Sequence, residues 1–197
     1  MSSTVLYMSM SLDGFVAGPN ERPDNGLGDG GERLHEWTEG FTDVEQLDGG
    51  DREVLADFLS TGAVLAGRGT FEPAGGWNGD HHDGVPIFIL SRHQPAPRYA
   101  QWPGVTYLSD LDTAVRRAKE AAGERNVLVH GVGTAQRCLQ AGLLDEIQIH
   151  LVPVLLGEGR RLFEHLGAEH IELETIRVVR GREATHLRYR VRGTTDG

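Results

Sequence analysis

The chain has 197 residues, 39% of them hydrophobic, which suits one globular domain (residues 1–197) with a well-developed core. A net charge of −10 without any long Lys/Arg block argues against nucleic acid as a partner. The single cysteine, Cys138, excludes an internal disulfide framework and a Cys-rich zinc site.

No apolar run approaches the roughly 20 residues of a membrane span. The opening "MSSTVLYMSMSLDGF" has no basic segment and soon meets Asp13, so a cytoplasmic protein is expected.

In chain order, "STVLYMSMSL" alternates and is rich in strand formers, so it reads as a strand ending at "DG". "AGPNERPDNGLGDGG" is a long loop. "ERLHEWTEGFTD" is weakly amphipathic and reads as a short helix. "DREVLADFLSTG" is a stronger one, with Asp51 as its cap, Val54, Leu55, Phe58 and Leu59 on one face, and Gly62 as its stop. "AVLAG" is a short buried strand, followed by a turn, a half-helix and a loop in "RGTFEPAGGWNGDHHDG". "VPIFILS" and "GVTYLS" are further strands. "SDLDTAVRRAKEAAGE" is a helix capped by Ser109 or Asp110, with Leu111, Val115 and Ala118 inward. "NVLVHG" is a strand and "TAQRCLQAGL" a helix that buries Cys138. "DEIQIHLVPVLLG" is a strand edged at Pro153, and "RLFEHLG" a short turn or helix. "IELETIRVVRG" and "EATHLRYRVRG" form a C-terminal hairpin across "GRE".

Buried all-apolar strands alternating with helices predict an α/β fold: a mixed, mostly parallel central sheet with helices on both faces and an antiparallel hairpin at its edge. In such sheets ligands sit outside the carboxyl ends of the strands. Those ends carry "SLDG" (Ser11 to Gly14), "GRGT" (Gly67 to Thr70), Ser91-Arg92 and "GVGTA" (Gly131 to Ala135). Gly131 and Gly133 let backbone amides approach an anion, and the helix that follows aims its free N–H groups there. Arg68 and Arg92 offer planar, permanently charged forks, and Thr70, Ser91 and Thr134 offer hydroxyls. Two arginines at separate strand ends suggest two phosphates, the pattern of a 2′-phosphorylated dinucleotide such as NADPH. A Gly-x-Gly turn alone is more often only a tight turn; the recurrence at neighbouring strands is the signal. The dinucleotide fingerprint G-x-G-x-x-G does not apply, since Gln136 stands at its third glycine and Asp145-Glu146 come too soon.

The ordered set "SLDGFVAGP", "VLAGRGTFEPAGGW", "PIFILSR" and "VLVHGVGTAQRCLQAGLLDEIQIHLVPVLLGEGRRLF", with the hairpin, resembles the dihydrofolate reductase-like superfamily. Within it the chain is most similar to the C-terminal reductase domain of the bifunctional riboflavin-biosynthesis deaminase-reductase. The resemblance implies an NADPH-dependent oxidoreductase acting on a small molecule, commonly as a homodimer. It implies that Arg68, Gly69 and Thr70 meet the cofactor's phosphate region and that Ser91 and Arg92 lie near the adenosine 2′-phosphate. Gly131, Val132, Gly133, Thr134 and Ala135 would embrace the pyrophosphate, and Asp13 would face the nicotinamide and substrate end.

The chain also departs from that family. "FEPAGGWNGDHHDG" replaces its acidic-Pro stretch, and Val129-His130 stand where a glutamate is usual before the glycine turn. Glu32, Glu36 and Glu39 offer no clear match to the acid of true folate reductases. The implied reaction is hydride transfer from the nicotinamide to a heterocyclic or carbonyl substrate, with Asp13 as candidate for polarising or protonating it. Asp13 in a "DG" turn is equally a turn residue. Trp37 and Trp77 either stack on a flat substrate or serve as core aromatics. Two other function classes remain: an NADPH-binding sensor or interaction module without turnover, and a metal hydrolase using His81 and His82.

Overall fold

The computed structural model describes residues 2–22, 25–38, 47, 49–167 and 170–192. Ten strands run in the order β1 (Thr4–Ser11), β2 (Phe15–Ala17), β3 (Ala63–Gly67), β4 (Ile87–Leu90), β5 (Val105–Leu108), β6 (Val127–His130), β7 (Glu146–Val152), β8 (Arg160–Arg161), β9 (Leu173–Arg180) and β10 (Thr185–Val191). The helices are α1 (Gly49–Leu59), α2 (Arg68–Phe71), α3 (Pro97–Ala100), α4 (Leu111–Ala122) and α5 (Val132–Gln140). Eight strands form one mixed sheet in the order β5-β4-β3-β6-β1-β7-β10-β9, and β2 pairs with β8.

The contacts gather into two compact units: Met1–Leu6 with Leu59–Asp145, and Tyr7–Phe58 with Glu146–Gly197. Strand β1 contributes its first residues to one and its last to the other.

In the first unit every ladder is parallel: β4 pairs with β5, β3 with β4 and β6, and β6 with the start of β1. Val64, Leu65, Ile87, Ile89 and Leu128 are fully buried, as an all-apolar strand with helical cover requires. Helix α4 starts where Asp110 accepts the N–H of Thr113 at 2.8 Å, and it buries Ala114, Val115, Ala118 and Ala122. Helix α5 buries Cys138, whose thiol is pushed up to about 12 by burial. That thiol is a core group, not a nucleophile.

In the second unit β10 is antiparallel to both β7 and β9, with His186 opposite His150 and Arg188 opposite Gln148. Strand β7 stops at Val152, just before Pro153. Two local expectations are corrected here. Asp51 does not cap α1, which begins at Gly49; its carboxylate instead accepts from His186 Nε2 (2.8 Å) and the N–H of Arg182 (2.8 Å). The start of "RLFEHLG" is extended, not helical: Arg161 pairs with Phe15, donates to the carbonyl of Asp13 at 2.9 Å and stacks over the Phe15 ring. The short helix expected from "ERLHEWTEGFTD" is a 3-10 segment over Gly31–Thr38; residues 39–43 lie outside the described residues.

Candidate functional site

The glycine turns lie in the first unit, at the ends of adjacent parallel strands β3 and β6. They interlock. Gly131 has φ +93, and a Cβ there would fall 2.0 Å from Thr70 Oγ1. Gly67 in turn lies against Thr134, whose Oγ1 would be 3.0 Å from a Cβ. So "GRGT" and "GVGT" hold each other, and each threonine sits over the other's glycine. By contrast, a Cβ on Gly69 or Gly133 would meet nothing within 4 Å.

Helix α5 opens directly from this turn. Gly131 is its N-cap and offers no side-chain cap. Ala135 donates its N–H to the Gly131 carbonyl at 3.0 Å, so that amide is used by the helix. The amides of Val132, Gly133 and Thr134 belong to the first turn, where no intrahelical acceptor exists. They carry the positive end of the helix dipole, equivalent to about half a charge. Thr134 itself is buried, with its Oγ1 beside Gly67.

Arg68 and Arg92 are both exposed, and among the described residues neither pairs with a carboxylate. Arg68 opens α2 after β3; Arg92 follows β4. Ser91 is partly committed: its hydroxyl donates to the His93 carbonyl (2.9 Å) and accepts the His93 N–H (3.0 Å), closing a turn that presents Arg92 outward. Backbone amides, two unpaired guanidiniums and open glycine surfaces thus share the carboxyl ends of β3, β4 and β6, a constellation suited to phosphates.

Beside them lies a feature that sequence reasoning missed. Residues Gly75 to Gly79 all have positive φ, including Trp77 at +47 and Asn78 at +53. A left-handed turn costs a non-glycine residue about 1–2 kcal/mol. The run of three glycines and an asparagine in "GGWNG" is the sequence signal for it. The turn presents Trp77 to three aromatic neighbours: Phe71 (ring centroids 5.3 Å), His81 (4.5 Å) and His130 (5.8 Å). His81 Nδ1 lies 2.8 Å from His82 Nδ1, and His82 Nε2 lies 3.0 Å from Thr61 Oγ1. Burial, with His130 and His82 nearby, drives His81 down to about 2, so its ring is neutral at physiological pH. Among the described residues no three of His, Cys, Asp and Glu converge as metal ligands.

Asp13 lies in the second unit. Its carboxylate accepts the Ser11 hydroxyl (2.5 Å), the Gly157 N–H (2.7 Å) and the Leu156 N–H (3.2 Å). The Ser11 hydrogen bond, aided by the two amides, holds its carboxyl down at about 2. Leu12 is tied to Val154 by a backbone hydrogen bond, so the end of β1 and the segment after β7 form one laced corner. Trp37 resolves toward the core: it is buried, donates to Ser9 Oγ at 2.9 Å, and packs on His150 and His186.

The profile of the RibD C-terminal domain family matches residues 3–187. No curated protein sequence matches the chain. Among solved structures, a Shewanella sp. PV-4 protein assigned to riboflavin biosynthesis is 21% identical, over 96% of this chain and 99% of its own, with a TM-score of 0.69. RibD of Acinetobacter baumannii is 17% identical over 98% of this chain, with a TM-score of 0.61. The chain spans 58% of that protein's length. The riboflavin biosynthesis reductase Rib7 of Saccharomyces cerevisiae is 13% identical, over 97% of this chain and 90% of its own, with a TM-score of 0.60. These likenesses carry the fold.

Proposed function

The chain belongs to the RibD C-terminal domain family of reductases, and from that premise we propose that it is a single-domain, NADPH-dependent reductase of a small heterocyclic or carbonyl substrate. The observation that carries the reading is the uncapped first turn of α5, interlocked with the "GRGT" turn, with Arg68 and Arg92 at the ends of β3 and β4 without carboxylate partners among the described residues. The match over residues 3–187 spans both units, which supports one functional domain.

When bound, the nicotinamide supplies the hydride; the chain supplies position and charge. Val132, Gly133 and Thr134 donate amides to the pyrophosphate, with Gly131 and Ala135 fixing the turn's geometry. Arg68, Gly69 and Thr70 border the same phosphates at the end of β3. Arg92, held out by the Ser91 turn, meets the 2′-phosphate. Asp13 acts as a fixed negative charge and acceptor, not as a proton donor, because its carboxyl stays ionised at neutral pH.

We also assign the protein to the cytoplasm: among the described residues no helix is long and apolar enough to cross a membrane. Strand β9 exposes Val178 (60%), Leu173 (42%) and Ile176 (40%) at the sheet edge. An apolar edge of this kind suits a second copy of the chain, and we assign it the homodimer contact.

The test is a titration with NADPH and NADH, by calorimetry or nucleotide fluorescence, of the wild type and Arg92→Ala. Tighter binding of NADPH, with the preference lost in Arg92→Ala, is the expected result. Binding of neither nucleotide overturns the cofactor assignment.

A further inference from the structure

In the second unit, β7, β10 and the end of β1 carry a buried polar layer. Strand β7 lies between β1 and β10. Across the β7–β10 ladder Gln148 stands opposite Arg188, and His150 opposite His186, so these residues share one face. Tyr7 of β1 joins that face: its ring stacks on His150, with centroids 6.3 Å apart, and meets Phe58 of α1 edge-on at 5.8 Å. The neighbours in this layer are matched. His150 reaches His186, His186 reaches Asp51, Trp37 donates to Ser9, and Arg188 holds Glu146 (2.6 Å) and Asp57 (3.4 Å). Tyr7 and Gln148 are the exceptions. They are only 2% and 0% exposed. Yet among the described residues Tyr7 Oη, Gln148 Nε2 and Gln148 Oε1 have no hydrogen-bond partner. The unpaired atoms gather around one neighbour. Of the charges acting on the Tyr7 hydroxyl, that of Arg188 is the strongest, and Arg188 is the residue that faces Gln148.

An unpaired buried amide or hydroxyl opposes folding, and native structures rarely keep one without a bound partner. We infer that Tyr7 and Gln148 bind ordered water, which bridges the Tyr7 hydroxyl to the Gln148 amide and joins β1 to β7. The chemistry of the ligand follows from the groups that face it. It must both give and accept hydrogen bonds, because the amide presents a carbonyl oxygen beside donor hydrogens. Burial pushes the Tyr7 hydroxyl up to about 12, so that group keeps its proton and donates. The ligand must also be uncharged. Arg177 and Arg188 are already matched by Glu53, Asp57 and Glu146, which leaves no spare guanidinium for an anion and no spare carboxylate for a cation. Finally, it must be small, since both residues are closed to solvent. Water meets all of these conditions. A buried water makes about three hydrogen bonds to groups that otherwise lack partners, and Tyr7 and Gln148 supply such groups.

The probe is water itself. Magnetic relaxation dispersion of the water oxygen nucleus reports water held for long times inside a folded protein. It would be measured on wild type, Tyr7→Phe and Gln148→Leu, with urea unfolding alongside. The expected result is a smaller long-lived water signal in both variants. Their unfolding constants should rise roughly five- to hundredfold, because each change strips the water of an anchor and leaves the other residue unpaired. The direction of that change discriminates. Without bound water, Gln148→Leu would only remove an unpaired amide at nearly constant volume, and the protein would become more stable. An unfolding constant that is unchanged or lower in either folded variant therefore overturns the inference. An unchanged water signal in either folded variant also overturns it, and would mean that the two side chains pair directly or stay unpaired. Should Gln148→Leu fail to fold, Tyr7→Phe, which deletes a single oxygen, decides by the same two readings. Neither residue belongs to the proposed cofactor site, so the outcome is independent of the NADPH titration.

Discussion

The arginines of the C-terminal hairpin and those at the ends of β3 and β4 are used differently. In the second unit, Arg177 pairs with Glu53 and Asp57, Arg188 with Glu146 and Asp57, and Arg190 with Glu174. Its buried histidines are engaged as well: His150 Nδ1 lies 2.9 Å from His186 Nδ1, and His186 reaches Asp51. In the first unit, Arg68 and Arg92 stand at strand ends without carboxylate partners among the described residues. The first unit pairs charges too, Arg116 with Glu120 and Lys119 with Asp145, but not at the ends of β3 and β4. An uncapped helix start and guanidiniums at neighbouring strand ends suit an anion, and on that ground the cofactor is proposed for the first unit.

The sharpest way to break this contrast is a pair of glycine substitutions on one helix. Gly131→Ala places a methyl 2.0 Å from Thr70 Oγ1 at φ +93. Backbone strain alone should cost roughly 1–3 kcal/mol, with the clash added, so a lower Tm and loss of NADPH binding are expected together. Gly133→Ala places its methyl in open space on a helical residue, which should stabilise by about 0.5–1 kcal/mol. If Gly133 faces the pyrophosphate, that more stable variant nevertheless binds NADPH more weakly. Unchanged affinity in Gly133→Ala would break the placement of the cofactor.

The matching test in the second unit should move stability and leave the cofactor alone. Asp51→Asn keeps the side-chain volume but removes one acceptor from a site serving His186 and the Arg182 amide. The expected cost is about 1–3 kcal/mol in urea unfolding. NADPH affinity should be unchanged, because the residue belongs to the structural use of charge.

Acid should sharpen the contrast further. Burial pushes His150 well below the usual histidine range, with His186 and His35 adding to the effect; burial also lowers His186. The unfolded chain therefore takes up protons near pH 6.5 while the folded one does not. Stability is full above about pH 6.5 and falls as pH drops from there toward the lower folded values. The slope is about 1.4 kcal/mol per pH unit for each such histidine. His150→Leu should flatten the profile between pH 6.5 and 5; an unaltered slope would mean that His150 charges freely in the fold.

The parallel half was readable because the buried strands from "VLAG" to "VLVH" are apolar throughout and α4 carries its own cap in Asp110; the short α3 (Pro97–Ala100) gave no such signal. The strand-end residues followed from the same logic, since Arg68, Arg92 and Gly131 to Thr134 adjoin strands that the pattern already marks. The second unit was less legible. Asp51 looked like a cap because capping is a local signal; its true partner, His186, lies 135 residues away. "RLFEHLG" has helical composition, but pairing with Phe15 and the Arg161 contacts draw its start into a strand. Trp77 could be located but not oriented, because its orientation depends on a run of left-handed residues.

The smallest expected effect belongs to Asp13. Its carboxylate serves three donors, Ser11 Oγ and the amides of Leu156 and Gly157. Asp13→Asn keeps one oxygen but replaces the other with an NH2 group that cannot accept the Gly157 amide. A residue that only laces the corner should then yield a folded protein with NADPH affinity unchanged and turnover reduced modestly, by less than about tenfold. The wild-type carboxyl titrates near 2, so activity should show no inflection from it between pH 5 and 8, and the stabilising contacts should fail only as pH falls from about 4 toward 2. A loss of turnover of about a hundredfold or more with the fold intact, on a substrate found by oxidation of NADPH, would instead place Asp13 in direct contact with the reacting atoms. That outcome would move the division between the units: the second would then supply chemistry as well as structure.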